Sequence, residues 1–299
     1  QERRRVLHER TAQAIETLWS QQLEEHYSAL AHHYSHSGNT QKAVQYLHQA
    51  GEQEVQRSAN TEAIQHLTAA LALVRDLPES SERTQKELAL LIALGIPLVV
   101  TKGIASPEVG DTYNRALELF QQVGETPQLF PVLRGLWEFY EVRGALPKAR
   151  KLGEQLLSSA QRTRDPSLLL VAHNVMSDTL LWFGEFASAR THAEQALALY
   201  DPEQHHSLAS LYAGYDLGSA CLCWTALSLW HLGYPDQALR RSQEALRLAQ
   251  ASSQPYSLTH TLFFVATLQQ YCRQGHLVQE RAESAILLSQ EHGFALYLA

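Results

Sequence analysis

The sequence predicts an all-α chain built as an α-solenoid of antiparallel helix pairs, about seven repeats long. Three observations predict it: apolar residues recur at helical spacing, a short cassette from a turn residue to alanine repeats along the chain, and no segment alternates convincingly with period two. In EFASARTHAEQALALY, residues Phe186, Ala189, Ala193, Ala196 and Tyr200 fall at steps of three and four, one stripe of an α-helix. The same stripe runs through Ala43 to Ala50, Ala63 to Val74, Tyr113 to Phe120, Ala149 to Leu156 and Ala238 to Ala249. Helix starts are marked where proline follows a capping residue, at Ser106-Pro107, Thr126-Pro127 and Asp165-Pro166, because a first turn has no use for the N–H that proline lacks. These signals predict helices over 2–19, 22–37, 40–57, 60–76, 82–99, 107–123, 127–143, 146–163, 167–183 and 186–200. They continue over 207–232 with a break near Gly214 to Gly218, then 235–252, 256–274 and 276–292, and Phe294 to Ala299 would open one more.

Four cassettes align without gaps: Gly38-NTQK-Ala43, Gly144-ALPK-Ala149, Gly184-EFAS-Ala189 and Gly233-YPDQ-Ala238. Seven residues after each alanine comes another residue for the same face, Ala50, Leu156, Ala196 and Ala245. Weaker copies run from Ser58 through Ala63 to Ala70 and from Gly275 through Glu280 to Leu287. The spacing is mechanical: glycine supplies the positive φ of a tight corner between helices, and a small alanine just after it lets the two helices approach closely. The pattern resembles the tetratricopeptide repeat. The small residue which that repeat carries midway along its first helix is kept at Ala31, Gly51 and Ala226 but is Trp137 and Ser177 elsewhere. The period also departs from the usual one, being 33 residues from Ala116 to Ala149, 40 from Ala149 to Ala189 and 49 from Ala189 to Ala238.

Composition narrows the function. With 45% hydrophobic residues, 18% charged, and 25 Gly plus Pro in 299 residues, the chain has the makings of a large buried interior rather than a disordered one. A net charge of −7, with no basic block after residues 3–5, argues against nucleic acid. The longest uncharged apolar run, Leu88 to Val100, is broken by Gly95 and Pro97 and falls short of the roughly 20 residues of a membrane span. Cys221, Cys223 and Cys272 form no paired spacing, which fits a reducing, cytoplasmic setting. The start at QERRR suggests a fragment of a longer protein, and the apolar end suggests truncation before further repeats.

Phosphate-binding loops, dinucleotide fingerprints, HExxH and GxSxG are absent, so neither a catalytic residue nor a cofactor is expected. His32 and His36 share an i, i+4 spacing and His205-His206 lies in a predicted loop, yet neither has a third ligand in view, and no metal site is expected. Trp137, Trp182, Trp224 and Trp230 all fall on first helices, where they either fill the core or plate a groove. Counting back from the corner glycines places Arg134, Glu138, Glu141, Asn174, Asp178, Trp182, Trp230, His231, Gln269 and Arg273 on the groove side. Polar anchors between apolar plates are what a peptide or small-ligand groove requires. The long spacing between Ala189 and Ala238 adds Tyr212, Tyr215 and Asp216 as candidates.

From AHHYSHSGNTQKAVQYLHQAGE through SANTEAIQHLTAALAL, LVVTKGIASPEV, TPQLFPVLRGLWEFYEVRG and FGEFASARTHAEQALALYDPEQH to LGYPDQAL, the chain resembles the C-terminal tetratricopeptide region of bacterial multidomain signalling proteins. In that family a class III nucleotide-cyclase homology domain or another output module precedes a STAND-type ATPase, and a helical arm follows. The resemblance implies a connecting helix over residues 1–20 and a superhelical arm over 21–299. It further implies contact with the upstream ATPase and binding of a protein or peptide partner, or of a small-molecule inducer, in the concave groove. Two rival readings follow from the residues alone: an oligomerisation scaffold, and a helical enzyme that would need Asp178, Glu138 and His173 to converge.

Overall fold

The computed structural model describes residues 2–123, 129–208 and 214–298, and the expected cap at Thr126-Pro127 and the candidate Tyr212 lie outside them. The described residues form fifteen α-helices and no strand. They divide into two compact units, residues 1–98 with 114–126 and residues 99–113 with 127–299.

The first unit holds α1 (Glu2–Leu18), a 3₁₀ turn at Leu23–His26, α2 (Tyr27–Ser37), α3 (Thr40–Gln56) and α4 (Asn60–Arg75). The boundary between the units passes through α5 (Ser81–Lys102) and α6 (Pro107–Val123). The second unit continues with α7 (Leu129–Val142), α8 (Leu146–Thr163), α9 (Pro166–Trp182), α10 (Phe186–Leu199) and α11 (Pro202–Leu208). It closes with α12 (Leu217–His231), α13 (Pro235–Ala251), α14 (Pro255–Tyr271), α15 (Gly275–His292) and a 3₁₀ turn at Ala295–Leu298. The break expected near Gly214 to Gly218 within 207–232 is present: α11 ends at Leu208 and α12 begins at Leu217, where Asp216 starts it by accepting the Ser219 N–H at 2.7 Å. Asp165 caps α9 as its sequence suggests, accepting from the backbone of Ser167 and Leu168.

Consecutive helices pack as pairs, α2 with α3, α7 with α8, α9 with α10, α12 with α13 and α14 with α15. Each of these pairs turns at one left-handed residue: Gly38 (φ +90°), Gly144 (+72°), Gly184 (+78°), Gly233 (+86°) and Arg273 (+56°). Ser58 (+61°) makes the same corner between α3 and α4. The last corner corrects the expected register. Gly275 opens α15 and the turn falls two residues earlier, on an arginine held in the conformation that glycine takes without strain. With Arg273 as the corner, the second contact alanine becomes Ala285, which is buried, whereas Glu280 and Leu287 are exposed. The small residue midway along the first helix becomes Ala266. In every other copy the two positions after the corner are buried as expected, from Ala43 and Ala50 to Ala238 and Ala245.

Within the second unit the first helices also meet one another, α9 against α12 and α12 against α14. Trp137 is fully buried on α7, and its indole N–H donates to Thr179 Oγ1 on α9 at 2.7 Å. Gly135 admits the Tyr113 ring so closely that no Cβ would fit there, which seats α7 on the start of α6.

In the first unit α1 docks on α2 and α3 through Glu16. Its carboxylate accepts from Lys42 Nζ and Tyr34 Oη, each at 2.8 Å, and from Tyr46 Oη. His32 and His36 gather with His8 and His33, their ring centres 4.5 to 5.8 Å apart. Among the described residues no three His, Cys, Asp or Glu side chains are placed to share a metal ion. Helix α5 extends beyond both ends of the uncharged run Leu88 to Val100. At 22 residues, with a stretch of mean hydropathy 1.4, it is long and apolar enough to cross a membrane, and 56% of that stretch is buried inside the protein.

Candidate functional site

The second unit encloses a cavity of about 430 Å³, within the range of small-ligand sites. Four first-type elements supply its wall. The last turn and a half of α7 brings Glu138, Glu141 and Val142, α9 brings Asp178 and Trp182, and α12 with the segment before it brings Trp224 and Tyr215. Helix α14 and the closing 3₁₀ turn add Tyr256, His260, Phe263, Phe264 and Tyr297. These rings form a continuous lattice: Tyr215 stacks on His260 at 4.1 Å, and Trp224 meets Phe264 edge-on at 4.5 Å. Phe263 and Trp182, each about half exposed, form an open apolar rim.

Behind this wall lies a buried cation. Arg134 is fully buried, its guanidinium 4.4 Å from the Trp137 ring centre, and it donates to Glu138 Oε2 and to Tyr215 Oη, each at 2.9 Å. One guanidinium faces three carboxyls. Burial pushes the Asp178 carboxyl up to about 8, against the pull of Arg134 and the Trp182 indole. Burial, then Asp178 and Glu138, hold Glu141 well above the ordinary carboxylate range. Burial raises Glu138 as well, and its ion pair with Arg134 opposes the rise. Burial and Arg134 drive the His260 imidazole down to about 3, so that ring is neutral. Asp178 Oδ1, Glu141 Oε1, Trp224 Nε1 and His260 Nδ1 are buried and have no hydrogen-bond partner.

Of the residues expected to line a groove, the structure brings Arg134, Glu138, Glu141, Asp178, Trp182 and Tyr215 together here. The others it places elsewhere. Asn174 is fully buried and its amide contacts Cys221 Sγ at 3.4 Å. Asp216 caps α12, accepts from Tyr200 Oη at 2.5 Å and is joined through its own N–H to Ser257 Oγ, a structural role. Trp230 packs on Tyr271 at 4.8 Å and His231 stacks on Phe186 at 4.1 Å, outside the cavity. Gln269 and Arg273 were reached by counting back from Gly275, so both are two residues out of register. Gln269 faces a smaller space between α13, α14 and α15, and Arg273 is the corner itself. Counting from the true corner, the position equivalent to Arg134 and Asn174 is Phe263, a rim residue the sequence reading missed. The carboxylates named in the enzyme reading converge, but His173 is not with them; it contacts His192, Nδ1 to Nδ1, at 2.8 Å.

No protein-family model matches the chain. An uncharacterized protein of Rhizobium meliloti (strain 1021) is 29% identical over 262 residues, covering 85% of this chain and 25% of its own length. The chain thus spans about a quarter of that relative. Among solved structures, NprR in complex with its cognate peptide NprX is similar at a TM-score of 0.60 and 14% identity, over 94% of this chain and 77% of that one. The fold is TPR-like. Rap protein complexed with competence and sporulation factor gives a TM-score of 0.59 at 13% identity, over 84% and 67% of the two chains. BtubC from P. vanneervenii gives 0.52 at 14% identity, over 78% and 92%. At these identities the likeness is one of TPR-like architecture.

Proposed function

We propose that the second unit is a ligand-binding module that takes a peptide, or a small ligand, in the cavity between α7, α9, α12 and α14. The observation that carries this reading is the cavity itself: an aromatic interior with a half-exposed apolar rim, and buried carboxyls whose hydrogen-bonding capacity is unused. Two structural neighbours, NprR and Rap, were solved with a peptide and with competence and sporulation factor respectively, which supports a peptide as the occupant. In the larger protein implied by the sequence resemblance, this module would be the cytoplasmic sensing arm of a bacterial signalling protein. A bound ligand would favour one arrangement of the helix pairs and so bias an upstream ATPase through its differential affinity for two states. The chain itself, in this reading, performs no catalysis.

Selection from a random peptide library on the immobilised chain tests the proposal. Trp182→Ala and Phe263→Ala remove half-exposed rim rings without opening the core. Selected peptides are expected to bind the parent chain and to lose about 30-fold in affinity to either variant, the effect of a hot-spot aromatic worth about 2 kcal/mol. Failure to select any binder, or binders indifferent to both variants, would contradict it.

One observation favours a second reading. Glu138, Glu141 and Asp178 share the cavity wall with raised affinities for protons, as a buried general acid does. In that reading Asp178 would protonate a bound substrate, and turnover of a selected ligand, seen as a change in its mass, would decide for it.

A further inference from the structure

We propose that the ligand of this cavity presents an organic cation, a guanidinium or ammonium group, which is held by the Asp178 and Glu141 carboxyls against the aromatic wall of Trp224, Tyr256 and Phe264. The inference rests on the reading of the cavity as a binding site and names the chemistry of its occupant.

Charge balance points there first. The described residues lining the cavity include no Lys or Arg, and Arg134 behind them has its guanidinium already matched by Glu138 and tied to Tyr215. Asp178 and Glu141 have no cation of their own. Asp178 is 5% exposed, lines the cavity and carries an oxygen without a partner, and Glu141 carries another. Two buried carboxyls with unused acceptor oxygens are expensive to leave so, and a positively charged guest satisfies both. The walls point the same way, because the negative faces of aromatic rings attract cations and do so most strongly where water is excluded. An anionic guest meets the opposite situation. The guanidinium of Arg134 lies behind Glu138 and Trp137 and is not part of the cavity surface. Trp224 lines the cavity and its buried indole N–H has no partner, a donor that suits a neutral carbonyl such as that of a peptide.

A consequence is that binding moves protons. Arg134 and Glu138 on α7, Cys221 on α12 and Tyr215 just before it face these carboxyls, and Tyr113 on α6 faces the Arg134–Glu138 pair. Tyr256 and His260 on α14 and Tyr297 in the closing turn complete the set. The tyrosines and Cys221, which burial raises, and His260, which burial and Arg134 lower, are neutral near pH 7. With its carboxyl pushed up to about 8, Asp178 is expected to carry a proton at pH 7 in the free protein, and an arriving cation to displace it to solvent. Affinity should rise with pH until Asp178 is ionised in the free protein, near pH 8, and then level off.

Calorimetry on the 299-residue chain tests this with three probes: N-acetyl-arginine amide, its neutral citrulline counterpart, and free agmatine. The arginine probe is expected to bind at least tenfold more tightly than the citrulline probe. Its affinity should increase between pH 6 and pH 8, and its apparent enthalpy should differ between phosphate and Tris as proton release requires. Asp178→Asn and Glu141→Gln, nearly isosteric and neutral, should each lose at least tenfold, and the buffer dependence in the parent chain needs no variant. Binding of agmatine as well would identify a small free cation as a sufficient occupant, and binding of the arginine probe alone would identify a peptide side chain; both support the cation. Equal binding of arginine and citrulline probes, or binding without proton release, would overturn it, as would failure of all three. If library-selected peptides that depend on Trp182 and Phe263 bind while the cationic probes do not, the cation inference falls and the binding-site reading stands.

Discussion

Glu16 in the first unit and Asp178 in the second are both carboxyls drawn toward a helical interior, and the two units treat them in opposite ways. Glu16 keeps 22% of its side chain in water and receives three donors, from Lys42, Tyr34 and Tyr46. Burial works to raise its pKa, but those donors win and the net shift is downward. Asp178 is almost dry, has one oxygen with no partner and is pushed up to about 8. A carboxyl that fastens a helix is satisfied in the folded chain, whereas one proposed to receive a ligand, Asp178, is not. The difference separates scaffold from site more sharply than burial does, because Arg134 and Trp137 are as buried as any alanine of the corners.

The comparison can be broken first at its strongest bond. Arg134→Met leaves Glu138 and Tyr215 facing an apolar side chain, and removal of one partner from a buried pair costs about 3–5 kcal/mol. Urea unfolding followed by far-UV circular dichroism should show a loss of that order. Next in size is the pH dependence of stability. Asp178 has a folded pKa above its unfolded value of about 3.9, so its contribution is complete below that value and is lost as pH rises toward 8. The melting temperature should fall between about pH 4 and pH 8, and the fall should be shallower in Asp178→Asn. Glu16 acts with the opposite sign. Its folded pKa is lowered, so its contribution is present above the unfolded value and is lost as pH drops toward the folded one.

Smaller effects are expected at the corners. Arg273→Gly relieves a left-handed arginine and should stabilise the chain by about 1 kcal/mol, while Gly144→Ala should lose a similar amount. The smallest is Lys42→Met beside Glu16. Lys42 is 41% exposed and two tyrosines remain as donors, so the loss in the same urea assay should stay within about 1 kcal/mol.

The helices and most corners were legible because they are local properties. A left-handed glycine, a small residue five positions on and a capped proline start act within one or two turns. The final corner was misread because an arginine occupies it and a glycine stands two residues later, inside the next helix. That displacement carried Gln269 and Arg273 into the expected groove and left Phe263 out. Glu138 and Asp178 were legible as equivalent positions, six residues before Gly144 and Gly184. Tyr215 was named for the length of its loop, not for the Arg134 bond that fixes it. His260, Tyr256 and Tyr297 join the site through the packing of α14 and the closing turn, and no local pattern announces which rings of those segments face one cavity.

The central claim is that the cavity wall holds two carboxyls, Asp178 and Glu141, whose affinity for protons burial raises and each of which the scaffold leaves with an unpartnered oxygen. The most direct measurement is a ¹³C NMR titration of the chain labelled at its Asp and Glu carboxyl carbons. The account predicts that Asp178 remains protonated at pH 7 while Glu16 titrates below the ordinary glutamate midpoint. An Asp178 signal that titrates near pH 4 would contradict it.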